Sequence, residues 1–454
     1  MIVLKFGGTS VADAAAITRA GEIVAARRAR APMVVVSALG GTTNQLLEIA
    51  EQSARGQLIL ALRSVEAMRQ RHLEAADALL GAGREGTEVA GEMSAMFDEL
   101  ASLAGALSVL GDLTPRSLDA FAAFGEQLSS LLVAAAFRRG GLPAVHIDAR
   151  SVMLTDSHFT RAEPRAEAIA EAAQRLLGPV IRNGEIPVLG GFIGASVETG
   201  VTTTLGRGGS DYSAALFGAA LQAEAIEIWT DVDGMLTADP RVVKAARLIE
   251  QVGFGEASEL ASFGAKVLHP STIAPAVRLG IPVYVLNSRN PKSPGTRITF
   301  DAPRRAVSAI AGKNNVTLIK VRSPRMLLTE GFLRALFDIF ERHRTSVDVV
   351  ATSEVSVSLT VDDATHLDAL IVELRALGDV AIERNRGIVA VVGSGLSDGG
   401  ASMACALRAL GDVPVQMLSL SATGINLTIV VDDDQVRPAM QRLHAAFFEG
   451  PGGS

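Results

Sequence analysis

IVLKFGGTS, residues 2–10, is a short apolar strand that runs straight into a glycine-rich turn. A helical pattern follows at Val11, Ile17 and Ile23–Val24. Lys5 interrupts the strand, and a lysine inside a buried strand is costly unless its head reaches a partner or a ligand. The arrangement then recurs: MVVV at 33–36 ends in SALGGTTN at 37–44 and a second helix. Two such strand–glycine–helix units in succession predict an α/β domain with a mainly parallel sheet. Ligands of such sheets sit at the carboxyl ends of the strands, where Lys5, Gly7, Ser37 and Thr43 fall. Backbone N–H groups at these turns suit phosphate. The plain alternative is an edge strand whose lysine points to water.

A second stretch, LGGFIGASVETGVTTTLGRGGSDYSAALFGAA at 189–220, gathers glycines, threonines, one arginine and one aspartate before it turns small and apolar. Gly208 and Gly209 permit tight turning and close ligand approach. Ser210 is placed to cap a helix carried on by Tyr212, Ala215, Leu216 and Ala219. N–H groups at such a helix start bind anions, and the helix dipole favours the negative charge of Asp211. Arg207, just before the turn, can grip a carboxylate or phosphate through two parallel hydrogen bonds. Read alone, the stretch is equally a glycine-rich turn with a solvated arginine.

The chain between and beyond these stretches continues the pattern. Residues 51–113 are rich in Ala and Leu and read as a helical excursion. GAGREG at 81–86 has the letters of a dinucleotide fingerprint, but it follows a helix rather than a strand and is discounted. Ser117–Arg139 is a helix with a core stripe of Phe121, Phe124, Leu128, Leu131 and Ala135. Glu126 lies off that stripe, where most glutamates are solvated. Strands are expected at 144–148, 225–229 and 281–286 and a helix at 166–177, while Pro187–Leu189 leads into the second glycine-rich stretch. Asp231 and Asp233, after the strand at 225–229, could bind Mg²⁺ or cap a turn. Asp239-Pro240-Arg241 is a turn, and FGAKVLHP at 263–270 sets Lys266 after a glycine in an apolar segment. Residues 290–305 are rich in Pro, Lys and Arg and read as a linker.

The texture then changes to two approximate rounds of a βαββαβ pattern. The first holds strands at 316–321, 347–350, 355–360 and 380–383 with helices at 331–343 and 367–376. The second holds strands at 387–392, 414–420 and 426–431 with helices at 401–410 and 435–448. This is a ferredoxin-like arrangement. It carries no cluster of acid, base and nucleophile, so sensing or assembly is expected of it. Gly450–Ser454 reads as a frayed tail.

Totals narrow the function classes. A chain of 454 residues implies more than one domain. A net charge of −7 offers no basic surface for nucleic acid. The single Cys405 allows no intrachain disulfide and fits a reducing compartment. The scattered histidines show no zinc-site spacing. The start MIVLKFGG leaves no room for a signal peptide, and the apolar runs fall short of a membrane span. A cytoplasmic protein without membrane partners is expected.

Lys5, Arg207, Lys266, glycine-rich strand ends and the acids Glu126, Asp211 and Asp231 suit phosphoryl transfer, which depends on positioning and charge neutralisation. Neither a GxxxxGK[ST] loop nor the HRD and DFG set of protein kinases is present. The residues alone read as a non-P-loop α/β enzyme for an anionic substrate.

Lys5-Phe6-Gly7-Gly8-Thr9-Ser10-Val11 resembles an aspartokinase of the amino-acid-kinase fold. So do Ser37…Thr43-Asn44, Phe124-Gly125-Glu126, TTLGRGGSD at 203–211, WTDVDG at 229–234, Asp239-Pro240-Arg241 and FGAKVLHP at 263–270. The second half is similar to paired ACT modules, and Gly331-Phe332-Leu333 with TSEVSV at 352–357 is similar to the monofunctional, lysine-sensitive type. The resemblance implies a mainly parallel sheet with helices on both faces at 1–297. A linker and first regulatory strand follow at 298–315, ACT modules at 316–386 and 387–449, and the tail at 450–454.

The activity implied is ATP plus L-aspartate giving 4-phospho-L-aspartate and ADP, with Mg²⁺. That reaction opens the synthesis of the aspartate-family amino acids: lysine through diaminopimelate, threonine and methionine. By the same resemblance, Lys5 and Lys266 sit on the phosphates and the transferring group, with Asp211 also catalytic. Gly7 and Gly8 supply N–H donors. Arg207 holds the α-carboxylate, and Glu126 and Asp211 hold the α-amino group or order the lysines. Ser37, Thr43 and Ser210 line the substrate site. Thr230, Asp231, Arg241 and Val267 contact the nucleotide. Leu236 stands at a nucleotide-side position that is usually aromatic. An amino-acid effector, lysine favoured, is implied at Met326, Thr329, Gly331, Phe332, Leu333, Asp348, Thr352, Ser353 and Glu354. Leu328 stands where lysine-sensitive relatives can be polar. A homodimer or dimer of dimers through the ACT modules is also implied. The other readings are an acyl-phosphate kinase for a different amino acid, and a catalytically idle ACT-based sensor.

Overall fold

The computed structural model describes residues 1–263, 270–328, 330–363 and 365–449. Lys266, Val267, Thr329 and the tail from Gly450 lie outside the described residues. The chain divides into two units, Met1–Met235 with Val267–Phe300, and Leu236–Lys266 with Asp301–Ser454.

In the first unit β1 (Ile2–Phe6), α1 (Ala14–Ala26), β2 (Pro32–Val36) and α2 (Thr42–Ala54) form the two expected strand–turn–helix pieces. α3 (Leu58–Leu80), α4 (Arg84–Leu110) and α5 (Pro115–Arg139) make the helical excursion, and GAGREG at 81–86 is the turn between its first two helices together with the start of the second. Next come β3 (Ala144–His146), β4 (Leu154–Thr155), α6 (Ala166–Arg182), β5 (Ile186–Gly190), β6 (Ile193–Ser196), β7 (Thr202–Thr204), α7 (Gly209–Ala220) and β8 (Ala225–Thr230). The chain then enters the second unit for β9 (Gln251–Gly253) and α8 (Phe254–Ser262). It returns with α9 (Ala274–Arg278), β10 (Val283–Asn287) and β11 (Thr296–Thr299).

In the large sheet the strands of this unit lie in the order β3-β5-β2-β1-β8-β10-β11. All neighbours are parallel except β10 and β11. β1 is central: β2 follows it on one side and the later β8 flanks the other, so a switch in strand order falls at its carboxyl end, where a ligand crevice forms. Strands β4, β6 and β7 make a separate small sheet.

Two differences from the sequence reading have physical causes. The expected linker contains β11, whose Thr296 and Ile298 are buried. Four residues between polar turns carry too little periodicity to stand out. α5 is buried on nearly every face rather than along one stripe, so a residue off its stripe need not meet water. Both α4 and α5 have the length and hydropathy of a bilayer span, but their apolar side chains join the core of this unit.

The second unit holds β12 (Ala309–Arg322), α10 (Phe332–Arg342), β13 (Val350–Thr352), β14 (Ser356–Val361), α11 (Leu367–Leu374), β15 (Asp379–Val392), α12 (Gly400–Leu410), β16 (Met417–Leu420), β17 (Asn426–Asp432) and α13 (Val436–His444). Its six-stranded sheet runs β13-β14-β12-β15-β17-β16 and is antiparallel throughout. The two βαββαβ rounds share strands. β12 pairs with the first part of β15 through Val316–Arg322, and with Ile388–Val392 through Ala309–Lys313. A register shift between Lys313 and Val316 separates the two halves of β12. β15 crosses residues 386 and 387 unbroken, the point where the sequence sets the module junction. The early half of β12 thus completes the second round.

Segment 236–263 packs on that second round. Ala238 and Val243 share a core with Val389, Leu427 and Leu443. The Ile310 N–H donates to the Thr237 carbonyl at 2.8 Å. Buried Glu256 accepts the Ser308 hydroxyl at 2.6 Å and the Ser394 N–H at 2.9 Å.

Candidate active site

A cavity of about 650 Å³ opens at the carboxyl ends of β1 and β2, beside the start of α7. Lys5, Gly8, Ser37, Thr43, Glu126, Arg207, Ser210 and Asp211 all line it. Residues read from four separate stretches of sequence therefore meet in one place.

Lys5 is only 8 % exposed and lies between Val35 and Ile228 on the neighbouring strands. Its ammonium reaches the Asp211 carboxylate at 2.6 Å. That pairing supplies the partner a buried lysine requires. Asp211 comes from the first turn of α7. The cap of that helix is Gly208, at φ 72°, and no side chain makes a capping hydrogen bond. Ser210 is therefore not the cap; it stands inside the helix, because glycine reaches the left-handed conformation this turn requires. The first-turn N–H groups are left without a side-chain cap beside the cavity.

Glu126 is 3 % exposed, not solvated. Gly125 explains how it arrives there: a Cβ on that residue would lie 2.7 Å from the Ala38 Cβ. Without a side chain, α5 closes on the turn after β2, and Glu126 Oε1 accepts the Ala38 N–H at 3.1 Å. Its Oε2 has no hydrogen-bond partner among the described residues. Burial pushes the carboxyl up to about 8, against the Ala38 hydrogen bond and the Lys5 charge, which favour ionisation. The same turn is held from below by Ser129, whose hydroxyl donates to the Ser37 carbonyl at 2.7 Å. Arg71 donates to the Gly40 carbonyl at 2.8 Å.

Arg207 is exposed at the cavity wall and pairs with no carboxylate among the described residues. Gly7 does not meet the role expected of it. Its N–H donates to the Trp229 carbonyl at 3.0 Å and is not free for phosphate. That carbonyl also accepts the Ser10 hydroxyl at 3.1 Å, so the turn after β1 is pinned to the end of β8. Thr230 and Asp231 stand at this strand end, next to the cavity-lining turn rather than in the cavity. The Asp231 carboxylate accepts the Thr230 hydroxyl at 3.3 Å, and Asp233 accepts the Asn287 amide at 2.8 Å. These contacts fit the turn-capping alternative for the pair. Among the described residues, no three His, Cys, Asp or Glu gather in a metal-ligating group.

Leu236 and Arg241 belong to the second unit. Leu236 is half-buried and bridges Leu248. Arg241 is exposed and paired with Asp239 at 2.7 Å, which holds the Asp239 carboxyl below its usual range.

The expected effector residues divide by environment. Phe332 is buried in the core under α10 and Met326 packs against it, so both are packing residues here. Gly331, Leu333, Thr352, Ser353 and Glu354 are exposed. Asp348 accepts from Lys313 at 3.2 Å, and Lys313 also meets Asp362 at 2.7 Å. Burial raises the Asp348 carboxyl and Asp362 adds to this, while Lys313 opposes it.

The cavity residues not singled out in the sequence include Asp119, Thr160 and Phe192. Thr160 and Phe192 adopt left-handed conformations, at φ 70° and 64°, which no residue-type signal announces. Asp119 had one. It precedes Glu126 by two helical turns, on the same face of α5.

Residues 1–287 match the amino acid kinase family, and residues 389–447 match an ACT domain. The chain is 39% identical over 460 residues to the lysine-sensitive aspartokinase 3 of Escherichia coli K12, covering 99% of each. It resembles the crystal structure of E. coli aspartokinase III in complex with aspartate and ADP (R-state). The TM-score is 0.85 and the identity 38%, over 99% of this chain and 100% of that one. The same enzyme in complex with lysine and aspartate (T-state) matches with a TM-score of 0.83 and 38% identity, over 99% of each.

Proposed function

The chain belongs to the aspartokinases, within the amino acid kinase family, and on that premise we propose how its residues divide the phosphorylation of L-aspartate by ATP. A side-chain carboxylate oxygen of aspartate attacks the γ-phosphorus. A new P–O bond gives 4-phospho-L-aspartate as the bond to ADP breaks. The attacking carboxylate is already ionised at neutral pH and needs no general base. The protein's task is to align the two substrates and neutralise charge on the moving phosphoryl group.

Lys5 serves that charge, with Asp211 fixing its position. Arg207 takes the α-carboxylate and the free Oε2 of Glu126 the ammonium. Gly8 and the start of α7 supply N–H groups, and Ser37, Thr43 and Ser210 line the substrate. Thr230 and Asp231, with Arg241, Lys266 and Val267 by resemblance, serve the nucleotide. Mg²⁺ would come as part of the Mg-ATP substrate and would supply charge neutralisation at the phosphates. The observation that carries this reading is the convergence of Lys5, Glu126, Arg207 and Asp211 in one cavity at the strand ends.

The test is ADP release from Mg-ATP. It should require L-aspartate. Equal release with L-glutamate, or none with either, sinks the assignment.

Lysine inhibits through the first ACT round, beside Gly331, Leu333, Asp348 and Thr352–Glu354, with Met326 and Phe332 packed behind them. The enzyme is a cytoplasmic homodimer, or a dimer of such dimers, joined through its ACT modules. It opens the synthesis of the aspartate-derived amino acids. The T-state relative's complex with lysine supports the effector. Truncation after Arg297 would strip Ala238, Val243 and Glu256 of their packing partners, so the feedback test uses the full chain. Added lysine should raise KM or lower kcat, and Asp348→Asn should weaken that response. Activity indifferent to lysine removes the claim.

A further inference from the structure

Asp119 is a carboxylate at 1 % exposure that pairs with no cation among the described residues. Its Oδ2 accepts the Thr160 N–H at 2.9 Å and the Thr204 N–H at 3.0 Å, and its Oδ1 accepts the Thr204 hydroxyl at 2.6 Å. Burial raises the carboxyl, and the three hydrogen bonds pull the other way. An ionised carboxylate is acceptor-only, which suits three donors arriving from two loops.

Those loops form one wall of the cavity. Thr160 is held in its left-handed conformation at this contact. Thr204 ends β7 and leads through Leu205 and Gly206 to Arg207. Thr204 is fixed further by the Ala162 N–H, which donates to its carbonyl at 2.9 Å. The other side of the wall is α5 itself, which carries Asp119 in its first turns and Glu126 two turns later.

We propose that Asp119 is a positioning residue for substrate choice: by tying the Thr204–Arg207 loop to α5, it sets the spacing between Arg207 and Glu126. One rigid helix then gauges the distance between the α-carboxylate and the ammonium of the substrate. This rests on the reading that Arg207 holds the α-carboxylate.

The experiment compares wild type, Arg207→Ala, Asp119→Asn, Thr204→Val and Thr204→Ser in full-length enzyme. The readouts are kcat, KM for each substrate, and the preference for L-aspartate over its α-carboxamide. Asp119→Asn turns part of an acceptor into a donor facing backbone N–H groups. It should raise KM for aspartate about tenfold, the scale of a lost charge-assisted hydrogen bond. KM for ATP should stay, and the preference for the free α-carboxylate should collapse. Thr204→Val should show the same split at smaller size, and Thr204→Ser, which keeps the hydroxyl, should restore wild-type values. The valine variant carries the test if Asp119→Asn does not fold. If Arg207→Ala leaves the preference intact, the reading of Arg207 fails and the proposal falls with it. If Arg207→Ala abolishes the preference while Asp119→Asn and Thr204→Val keep it, or move both KM values together, the positioning role alone is refuted.

Discussion

The ammonium of Lys5 and the carboxylate of Asp211 stand 2.6 Å apart with both side chains nearly out of water, and the pair joins the central strand to the first turn of α7. Because the pair is buried, each member depends on the other. Lys5→Ala should destabilise the fold by about 3–5 kcal/mol, the usual effect of stranding one buried charge. Lys5→Ala with Asp211→Ala should recover part of that loss in urea unfolding. Turnover should not recover in either variant: kcat should fall by about 10²–10³-fold with little change in KM for aspartate, since the lysine acts on charge in the transition state. An unchanged kcat refutes that role.

Glu126 makes stability and binding depend on pH. Its folded carboxyl titrates at about 8 against 4.5 for an ordinary glutamate. The folded protein therefore keeps a proton that the unfolded chain has released. The stability from this group is complete below 4.5 and drains away as pH rises to about 8, by about 1.4 kcal/mol per pH unit. Glu126→Gln should flatten that slope in denaturant titrations across the same window. Aspartate binding should expel the proton near neutral pH, because the substrate ammonium favours the ionised form. Calorimetry in buffers of different ionisation enthalpy should detect the release in wild type and lose it in Glu126→Gln.

Gly125→Ala should be out of proportion to its size. The added methyl meets the Ala38 Cβ at 2.7 Å and the Leu46 Cδ1 at 3.3 Å, and an alanine Cβ cannot swing aside. Overpacking of this kind destabilises by about 1–3 kcal/mol. It also moves the turn that carries Ser37 and receives Glu126, so the rise in KM for aspartate should exceed that from a stability-matched change elsewhere. Steady-state kinetics beside thermal unfolding would show it.

His72 gives an acid limit remote from the site. It is fully buried between α3 and α4, edge-on to Phe97, with Nδ1 on the Met68 carbonyl and Nε2 unpartnered. Burial lowers its pKa from 6.5 to about 4. A depressed histidine favours folding above 6.5, and that support is lost as pH falls toward 4. His72→Leu should remove this part of the acid sensitivity, read as a shallower fall of Tm between those pH values.

Much of the site could be read in advance because its residues break local rules. Lys5 is a charge in an apolar strand, and Gly208 and Gly209 open a helix where a capping side chain would be ordinary. What escaped reading depended on tertiary context. Glu126 looked solvated because stripe logic assumes one wet face, and α5 has almost none. Ser210 looked like a cap because its type suits one, but the turn required a left-handed residue. Gly7 looked like a free donor until the Trp229 carbonyl was seen to occupy its N–H. Asp119 shares a face of α5 with Glu126, but its role lies in Thr160 and Thr204, far along the chain. The shared strands of the regulatory sheet contain Asn314-Asn315 and Asn385, a residue type that ordinarily marks turns. The first marks the register shift in β12 and the second a left-handed residue inside β15.

Those shared strands also order events on the ribosome. Ala309–Lys313 emerges early, yet its partner in the sheet is Ile388–Val392. During synthesis this apolar edge stays unpaired while the whole first round is being made, and an open edge is a template for association with other chains. The nested plan therefore gives the nascent enzyme a window of vulnerability. A slowed ribosome or a frameshift before residue 388 leaves a sticky half-sheet, not a shorter working regulator.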